Sequence, residues 1–456
     1  MIRPTVRPLE RSMKGTGALF LTLSATTPAA SVFIIAPGVI AAAGSGAVWA
    51  MLLAAVVGLA MAAVYAELAS AYPHAGGEYV MVGRTLGPLP GFMVLGLNLF
   101  NSVAICAVLA LGTATYLEPL LPSLDPRLTA LGVIGAATLL GVLNIRTNAW
   151  ITGAFLMVEL GALVALSVLG FSHPARPLSE ILLHPVMLAG AGVTAAPMAA
   201  IGLAVTVAVF AYDGYGAAVY FSEEVEGPHE RIARVVLTTL GLAVTAELIP
   251  IVALLVGAPD LGGLFRAGEG MLPAFMSARA GGAVSAAISA GVALAIVNAV
   301  IAGVLLTARQ LYAMGRDGAF APPLDRALSR THTRWGSPWI ATLVSGGLAA
   351  AVSCAPLDLL LVVTGTGLTL IYVALCAAAL ARGRTAGARE GRWKMPLFPL
   401  PPIAALLALA VVIGADALDP EAGRTSLIAS AAVLGAGAAY YLMVLKRRGW
   451  RPVDPD

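Results

Sequence analysis

The sequence predicts an all-α membrane protein with 12 transmembrane helices. Hydrophobic residues make up 59% of its 456 residues and charged residues only 11%, whereas soluble domains are about one quarter charged because their surfaces face water. Long stretches carry no charge, including 17–65 and 89–116, and a helix needs only about 20 apolar residues to cross a bilayer. A third observation is that lysine and arginine are distributed unequally among the segments that connect the apolar stretches.

The apolar stretches divide into twelve predicted spans. In chain order they are 17–43, 47–70, 89–117, 126–145, 149–171, 197–221, 233–257, 283–308, 338–354, 356–381, 398–416 and 425–445. The longest polar connections, 171–196, 308–337 and 382–397, are short enough to be loops or surface helices. We therefore expect no separate soluble domain.

The distribution of lysine and arginine predicts the topology. If the amino terminus is cytoplasmic, the connections on its side hold 22 of the 27 basic residues, and the opposite side holds 5. Cytoplasmic loops of membrane proteins carry such an excess. We expect a multi-pass protein of the cell inner (plasma) membrane whose amino-terminal segment 1–16 and carboxy-terminal tail 446–456 both face the cytoplasm.

Two spans contain residues that should interrupt a helix. In the first span, Pro28 lacks a backbone N–H and clashes with the preceding turn, in a stretch of small and hydroxyl-bearing residues, 24–31. In the sixth span, Gly214 and Gly216 bracket Tyr215 directly after a carboxylate, Asp213. Each interruption alone is also consistent with a kink or a packing contact between helices.

The matched positions of the two interruptions, five helices apart, favour a binding site. Paired broken helices at the interface of inverted repeats hold the substrate in many transporters. Amino ends of half-helices present N–H groups to a carboxylate, and carboxyl ends present carbonyl oxygens to an ammonium group. The predicted substrate-binding residues are Thr26, Thr27, Ala29, Ala30, Ser31, Phe210, Tyr212, Asp213, Gly214 and Tyr215.

Polar side chains inside the spans are the other candidates, because a charge at mid-membrane costs at least about 2.5 kcal/mol. Asp213 is interpreted as the partner of a substrate ammonium group or as a cap of the following half-helix, and both roles are compatible. Glu159 in the fifth span is a hydrogen-bonded structural residue or a titrating group that couples transport to protons. Glu247 is a similar, weaker candidate, and Asn298 is expected to be a packing residue.

Several segments resemble motifs of the amino acid–polyamine–organocation (APC) superfamily. They are AELASAYPHAGGEY at 66–79 followed by LGP at 86–88 and GF at 91–92, FAYDGY at 210–215 with SEEVEGP at 222–228, and ARQLYAMGRDG at 308–318. They occur in the family's order and extend over the first eight spans, about two thirds of the chain.

The resemblance implies a LeuT-like fold in which two inverted repeats of five helices, 17–171 and 197–381, precede two further helices, 398–445. It also implies alternating access to a substrate that the first and sixth helices hold. The family's first break usually reads Gly-Ser-Gly, and the aligned positions here are Ala29-Ala30-Ser31. These residues leave a tighter backbone site for the carboxylate of a substrate. The sequence around Asp213 resembles a variant of the sixth break that occurs in relatives of cationic-amino-acid carriers. A carboxylate at this position favours substrates that carry an additional or exposed ammonium group.

The resemblance also bears on Glu159. Its position aligns with one where many sodium-independent members carry a lysine that stands in for a sodium ion. An acid reverses the local charge, so the lysine mechanism does not transfer to this chain. Glu159 is thereby left as a candidate proton carrier or, as the weaker alternative, a cation ligand.

The function that the resemblance implies is secondary active transport of an amino acid or related small amine, by proton-coupled symport or exchange. One alternative is a carrier of polyamines or other cationic amines that does not recognise a carboxylate. A second is a non-transporting membrane receptor with a transporter fold. An intramembrane enzyme is a weaker possibility, because the five histidines lie in or near loops. We expect no catalytic residue, cofactor, metal site or nucleic-acid partner; the expected partners are the substrate, the proton and the lipid bilayer.

Overall fold

The computed structural model describes residues 9, 11–117, 121, 123–190, 192–355, 357–383, 393–420 and 423–452. Parts of several predicted segments therefore lie outside the described residues: 1–8 and 10 of the amino-terminal segment, 191 of the connection 171–196, 356 of the tenth span, 384–392 of the connection 382–397, 421–422 of the segment 398–445, and 453–456 of the tail. Five of the arginines that enter the topology prediction also lie outside them: Arg3, Arg7, Arg384, Arg389 and Arg392.

The described part of the chain is almost entirely helical. Its α-helices are α1 (Gly15–Thr26), α2 (Pro28–Ala30), α3 (Ala36–Ala43), α4 (Ala47–Ala71), α5 (Glu78–Thr85), α6 (Pro88–Leu117), α7 (Pro126–Gly141), α8 (Ile145–Ser172), α9 (Leu178–Leu183), α10 (Met198–Ala211), α11 (Pro228–Gly257), α12 (Leu261–Arg266), α13 (Met271–Ala280), α14 (Gly282–Arg316), α15 (Pro322–Leu328), α16 (Trp339–Val352), α17 (Leu357–Gly383), α18 (Leu400–Leu418) and α19 (Gly423–Tyr440). π-Helical turns occupy Ser31–Ile35 and Tyr441–Leu445, and 3₁₀ turns occupy Gly44–Gly46, Tyr215–Glu224, Gly268–Gly270 and Lys446–Arg448.

These helices confirm the predicted all-α membrane fold. Among the described residues, nine segments are long and apolar enough to cross a membrane, and the first of them, Gly15–Ala71, contains the first two predicted spans. Two shorter apolar helices, α7 and α16, coincide with the fourth and ninth predicted spans. Since these two are only 16 and 14 residues long, the count of twelve crossings stays a prediction.

Small residues allow the central helices to pack closely. Helix α14 lies at the centre of the bundle, packed against α6, α7, α8 and α16. Where α8 meets α11, a Cβ atom built at Gly170 would lie 2.2 Å from the carbonyl oxygen of Ala253. Helices in membranes associate through such close backbone contacts. Lipid tails are as apolar as the side chains, so the hydrophobic effect does not drive the helices together. The abundance of glycine in the sequence therefore has a direct packing role.

The connection between α8 and α10 contains two β-strands, which the sequence analysis did not predict. After α9 it forms a short antiparallel hairpin of β1 (Val186–Ala189) and β2 (Gly192–Ala195). The Val186 N–H donates to the Ser45 hydroxyl at 2.8 Å, which attaches the hairpin to the turn between α3 and α4. Each strand has only four residues, too few for the alternating hydrophobic pattern that would identify a strand from sequence.

The chain just before α1 pairs with the chain just after the 3₁₀ turn Tyr215–Glu224. The Met13 N–H donates to the Glu224 carbonyl oxygen at 2.9 Å, and the Glu226 N–H donates to the Met13 carbonyl oxygen at 3.0 Å. These two hydrogen bonds form an isolated parallel bridge between Met13 and Val225. The ends of the first and sixth predicted spans on this side of the bundle are therefore joined through their backbones.

Candidate functional site

The first predicted span is interrupted at the expected place. Helix α1 ends at Thr26, and Thr27 adopts the left-handed conformation with φ 52° before Pro28 begins α2. Proline is well suited to the first position of a helix, where its missing N–H would have no intrahelical partner. The N–H of Ala29, in the first turn of α2, donates instead to Glu159 Oε1 on α8 at 2.9 Å.

The sixth predicted span is interrupted as well, and the two interruptions touch. Helix α10 ends at Ala211, and the 3₁₀ turn begins at Tyr215, with Gly214 between them at φ 111°. A Cβ atom at position 214 would lie 2.6 Å from the Cα atom of Thr26. Only glycine therefore fits both the backbone conformation and the space between the two broken segments.

We expect Gly214→Ala to destabilise the folded protein, because it combines a positive φ with a collision against backbone atoms. Backbone strain of this kind costs about 1–3 kcal/mol, and the contact with Thr26 adds to it. The measurement is the apparent unfolding temperature of the purified protein in detergent.

The matched control for this variant is Gly202→Ala on the same helix, α10. A Cβ atom at position 202 would meet nothing within 4 Å, and alanine is a better helix former than glycine by about 0.5–1 kcal/mol. The control should therefore unfold at the same or a higher temperature. Equal behaviour of the two variants would contradict the close approach of the two breaks.

Asp213 lies in the turn that interrupts the sixth span, among aromatic side chains. The Tyr372 hydroxyl donates to Asp213 Oδ1, and the backbone N–H of Gly214 lies beside the same carboxyl group. The Tyr65 ring packs edge-on against the rings of Tyr215 and Tyr372, at centroid distances of 5.8 and 5.9 Å. Asp213 thus accepts a hydrogen bond from α17, and both interpretations of this residue stay predictions.

A cavity of about 140 Å³ borders Asp213 and Gly214. Its other polar walls include Tyr65, Glu78 and Asn98, and no lysine, arginine or histidine is among the described residues that line it. Pockets for drug-sized ligands measure about 300–1,000 Å³, so this cavity admits only a small molecule. Two carboxyl groups without a basic side chain make its lining suited to a cation.

Glu78, which the sequence analysis did not predict as a site residue, is held in a hydrogen-bond network on the cavity wall. The Tyr65 hydroxyl donates to Oε1 at 2.9 Å, the Asn98 amide donates to Oε2 at 2.7 Å, and the Tyr220 hydroxyl also donates to Oε2. Burial raises the pKa of Glu78, and these hydrogen bonds oppose that shift. The available signal was its position in the segment 66–79, which was used only for the family resemblance.

Comparison with known proteins decides the family. Residues 16–437 match the amino acid permease family. The chain belongs to this family. An uncharacterized transporter of Mycobacterium tuberculosis is 28% identical over 409 residues, 88% of this chain and 84% of the relative. The branched-chain amino acid permease BcaP of Lactococcus lactis is 26% identical, over 87% and 88% of the two chains. The low-affinity putrescine importer PlaP of Escherichia coli is 23% identical, over 62% of each.

The permease is therefore a transporter of amino acids or amines, and not an enzyme. This result confirms the membership of the APC superfamily that the sequence motifs indicated. It also confirms a multi-pass membrane protein, since the family match extends over the apolar helices.

The structure separates the ten predicted substrate-binding residues of the permease into two groups. Asp213 and Gly214 line the cavity, and Thr26 contacts Gly214. The others are not among the residues that line it: Thr27, Ala29, Ala30, Ser31, Phe210, Tyr212 and Tyr215. Of these, Tyr215 packs on Tyr65, which does line the cavity. The assignment of these residues to substrate binding stays a prediction.

Glu159 of the permease is completely buried and touches the first break directly through the Ala29 N–H. Its second oxygen, Oε2, has no hydrogen-bond partner among the described residues. Asn298 on α14 donates through its amide nitrogen to the Ser24 hydroxyl at 2.9 Å, and its Oδ1 has no hydrogen-bond partner among the described residues, so its interpretation as a packing residue stays a prediction. Glu159 thus contacts the first turn of α2, and its role as a coupling residue stays a prediction.

Two buried ion pairs join the 3₁₀ turn after the sixth break to α14. Arg309 donates to Glu224 through Nε at 2.5 Å and through Nη2 at 2.9 Å, and Arg316 donates to Glu223 at 2.7 and 2.9 Å. Glu224 and Arg309 are 2% and 0% exposed, so water does not screen their attraction. The sequence motifs contained all four residues, but not their pairing.

A larger cavity, of about 520 Å³, opens at the surface of the permease between the start of α1 and α11. It is lined by Lys14, Arg231 and Arg234 together with Glu226, two threonines and apolar residues. Its lining includes no residue of either break. Its basic walls suit an anion, whereas the smaller cavity beside Asp213 suits a cation.

Proposed function

We propose that the permease is a secondary active transporter that carries a small ammonium-bearing substrate by alternating access. The observation that carries this proposal is Asp213, a carboxylate in the turn between two helix segments, which borders a cavity whose described lining residues include no basic side chain. A carboxylate in such surroundings attracts an ammonium group strongly, because the low local dielectric weakens the screening of charge. The substrate is an amino acid or a small amine.

The proposed movement follows from the contact between the two breaks. Substrate that binds at Asp213 orders the turn around Gly214, and Gly214 packs on Thr26 at the end of α1. The helices would then act as two inverted repeats, 17–171 and 197–381, of which one bundle rocks against the rest. Glu159 is the proposed proton carrier, since it is buried and bound to the N–H of Ala29 in α2.

A specific observation favours a cationic amine over an α-amino acid. The N–H of Ala29 is the kind of donor that would receive a substrate carboxylate at a broken helix, and Glu159 already accepts its hydrogen bond. The cavity provides Asp213 and Glu78 for ammonium groups and no lysine, arginine or histidine among its described lining residues for a carboxylate. The name of one relative, a putrescine importer, is consistent with this alternative, and the name of another, a branched-chain amino acid permease, is not.

The experiment is a measurement of thermal stabilisation of the purified protein by a panel of α-amino acids, monoamines and diamines. A ligand that binds only the folded state stabilises it by mass action, about 2.7 kcal/mol at a concentration 100 times its Kd. We expect at least one ammonium-bearing compound to stabilise the protein and to be taken up by proteoliposomes.

The same panel separates the two substrate classes. Each α-amino acid is compared with the amine that lacks its carboxylate, so the pair differs in one group. If the amine stabilises the protein as well as the amino acid or better, the cationic-amine alternative is supported. If no ammonium-bearing compound stabilises the protein, the proposed substrate class is wrong. Stabilisation without uptake would indicate a receptor.

A further inference from the structure

The larger cavity, between the start of α1 and α11, contains more positive than negative charge. Lys14 directly precedes α1, and Arg231 and Arg234 lie in the first two turns of α11. The acid that lines the cavity beside them, Glu226, has its Oε2 atom 3.4 Å from Arg231 Nη1. Within the described part of the chain, neither Lys14 nor Arg234 forms an ion pair. Two of the three basic side chains are therefore free to bind an anion.

The lining of this cavity changes from basic to apolar along the two helices. Leu19 lies more than one helical turn beyond Lys14, and Val235 lies about one turn beyond Arg231. One turn advances the chain by about 5.4 Å. Both helices belong to segments that are long and apolar enough to cross a membrane. The cavity therefore has a charged end at the start of the two helices and an apolar part along their length.

A phospholipid has the same order of groups along its length. Its phosphate carries a negative charge and accepts hydrogen bonds from arginine and lysine, and its acyl chains begin a few ångströms further in. Basic pockets between membrane helices bind anionic headgroups for this reason. The volume of about 520 Å³ is sufficient for a headgroup and the start of an acyl chain.

We infer that the cavity binds the headgroup of an anionic phospholipid. The phosphate lies between Lys14 and the two arginines, Arg231 and Arg234, and the start of an acyl chain lies on Leu19 and Val235. A zwitterionic lipid is a poorer ligand, because its own ammonium group would lie among three basic side chains.

The bound headgroup joins two parts of the protein. Lys14 belongs to the chain just before α1, whereas Arg231 and Arg234 belong to α11, and α1 and α11 pack against each other. An anion held by both sides draws the start of the first interrupted helix towards α11. The inference does not depend on which substrate is carried, because the cavity includes no residue of either break.

Native mass spectrometry of the purified full-length protein tests the inference, with phosphatidylglycerol and phosphatidylcholine of identical acyl chains as the probes. We expect the parent protein to bind phosphatidylglycerol more tightly. Each basic side chain near an anionic lipid contributes roughly five-fold in affinity. Lys14→Gln combined with Arg234→Gln should therefore lower the affinity for phosphatidylglycerol by about 25-fold and alter that for phosphatidylcholine much less. Both side chains are exposed, so the double variant should fold as the parent does.

Two single variants complete the experiment. Arg330→Gln is the matched control: Arg330 is exposed, is predicted to lie on the same side of the membrane, and does not line the cavity, so its loss should leave the affinity unchanged. Glu226→Gln removes the acid beside Arg231 and should instead raise the affinity for phosphatidylglycerol severalfold. A general loss of folded protein would not produce this opposite effect.

Three results would overturn the inference. The first is equal affinity of the parent for the two lipids, and the second is a double variant that binds phosphatidylglycerol as tightly as Arg330→Gln does. The third is thermal stabilisation of the parent by inorganic phosphate, lost in the double variant, without preference for phosphatidylglycerol, which would indicate a site for a free anion. The readouts involve no transport, so failure of every ammonium-bearing compound to bind would reject the proposed function and leave the lipid site standing.

Discussion

Replacing Asp213 with asparagine is expected to weaken the binding of the best ammonium-bearing ligand by about 10- to 100-fold. The substitution keeps the size of the side chain and its contact with Tyr372, but removes the charge that attracts the ligand. A hydrogen bond to a charged group contributes about 1.5–3 kcal/mol, and each 1.4 kcal/mol is roughly a factor of ten in affinity. The measurement is the Kd from ligand-dependent stabilisation, with uptake by proteoliposomes as the second readout.

Asp416→Asn is the matched control for this prediction. Asp416 is an acid near the end of α18 that accepts a hydrogen bond from the Thr366 hydroxyl at 2.8 Å, and it does not line the cavity. Its loss of charge should leave the Kd unchanged. An Asp213→Asn variant that is folded and binds the ligand as tightly as the parent would refute the role of Asp213 as the ammonium partner and leave it as a helix cap.

The second large effect is expected from breaking the buried ion pair between Glu224 and Arg309. In Glu224→Gln the guanidinium group, which is 0% exposed, loses its charged partner. Removing one member of a buried pair costs about 3–5 kcal/mol, because the other charge remains buried without compensation. We expect a correspondingly lower free energy of unfolding, measured as the apparent unfolding temperature and the yield of monodisperse protein.

A double replacement distinguishes the ion pair from a general effect of mutation at this position. Glu224→Leu combined with Arg309→Met removes both charges and keeps most of the buried volume. Such replacements are often neutral or stabilising, so the double variant should recover most of the stability that Glu224→Gln loses. A double variant that is less stable than Glu224→Gln would show that the pair itself is not the cause.

The sequence predicts most of the fold, because hydrophobic length and helix-breaking residues are local properties. The apolar stretches gave the limits of most helices to within a few residues, and Pro28 and Gly214 identified both interruptions. The hairpin at Val186–Ala195 was missed, since strands of four residues carry too little pattern. The number of crossings is less secure for α7 and α16, whose lengths lie below the usual requirement.

The site was predicted only in part, because its polar groups come from helices that are distant in sequence. Asp213 stood out as a charge inside a span, whereas its partner Tyr372, 159 residues away, had no distinguishing neighbour in the sequence. Glu78 lies in the predicted connection between the second and third spans, where a charged residue is not unusual. Glu247 was recognised as a polar residue in a span, but the packing of its helix, α11, against α8, which carries Glu159, was not predicted.

The bridge between Met13 and Val225 has a consequence for how this protein can be studied. Both of its hydrogen bonds use main-chain atoms alone, so replacing a residue at these positions by alanine leaves their donors and acceptors in place. An alanine scan along either segment would therefore not detect these hydrogen bonds, which join the two interrupted helices. Only proline, which lacks the N–H, removes the donor at Met13 or Glu226. The side chains of Met13 and Val225 are 2% and 0% exposed, so substitutions at these two positions report on core packing and not on the two hydrogen bonds.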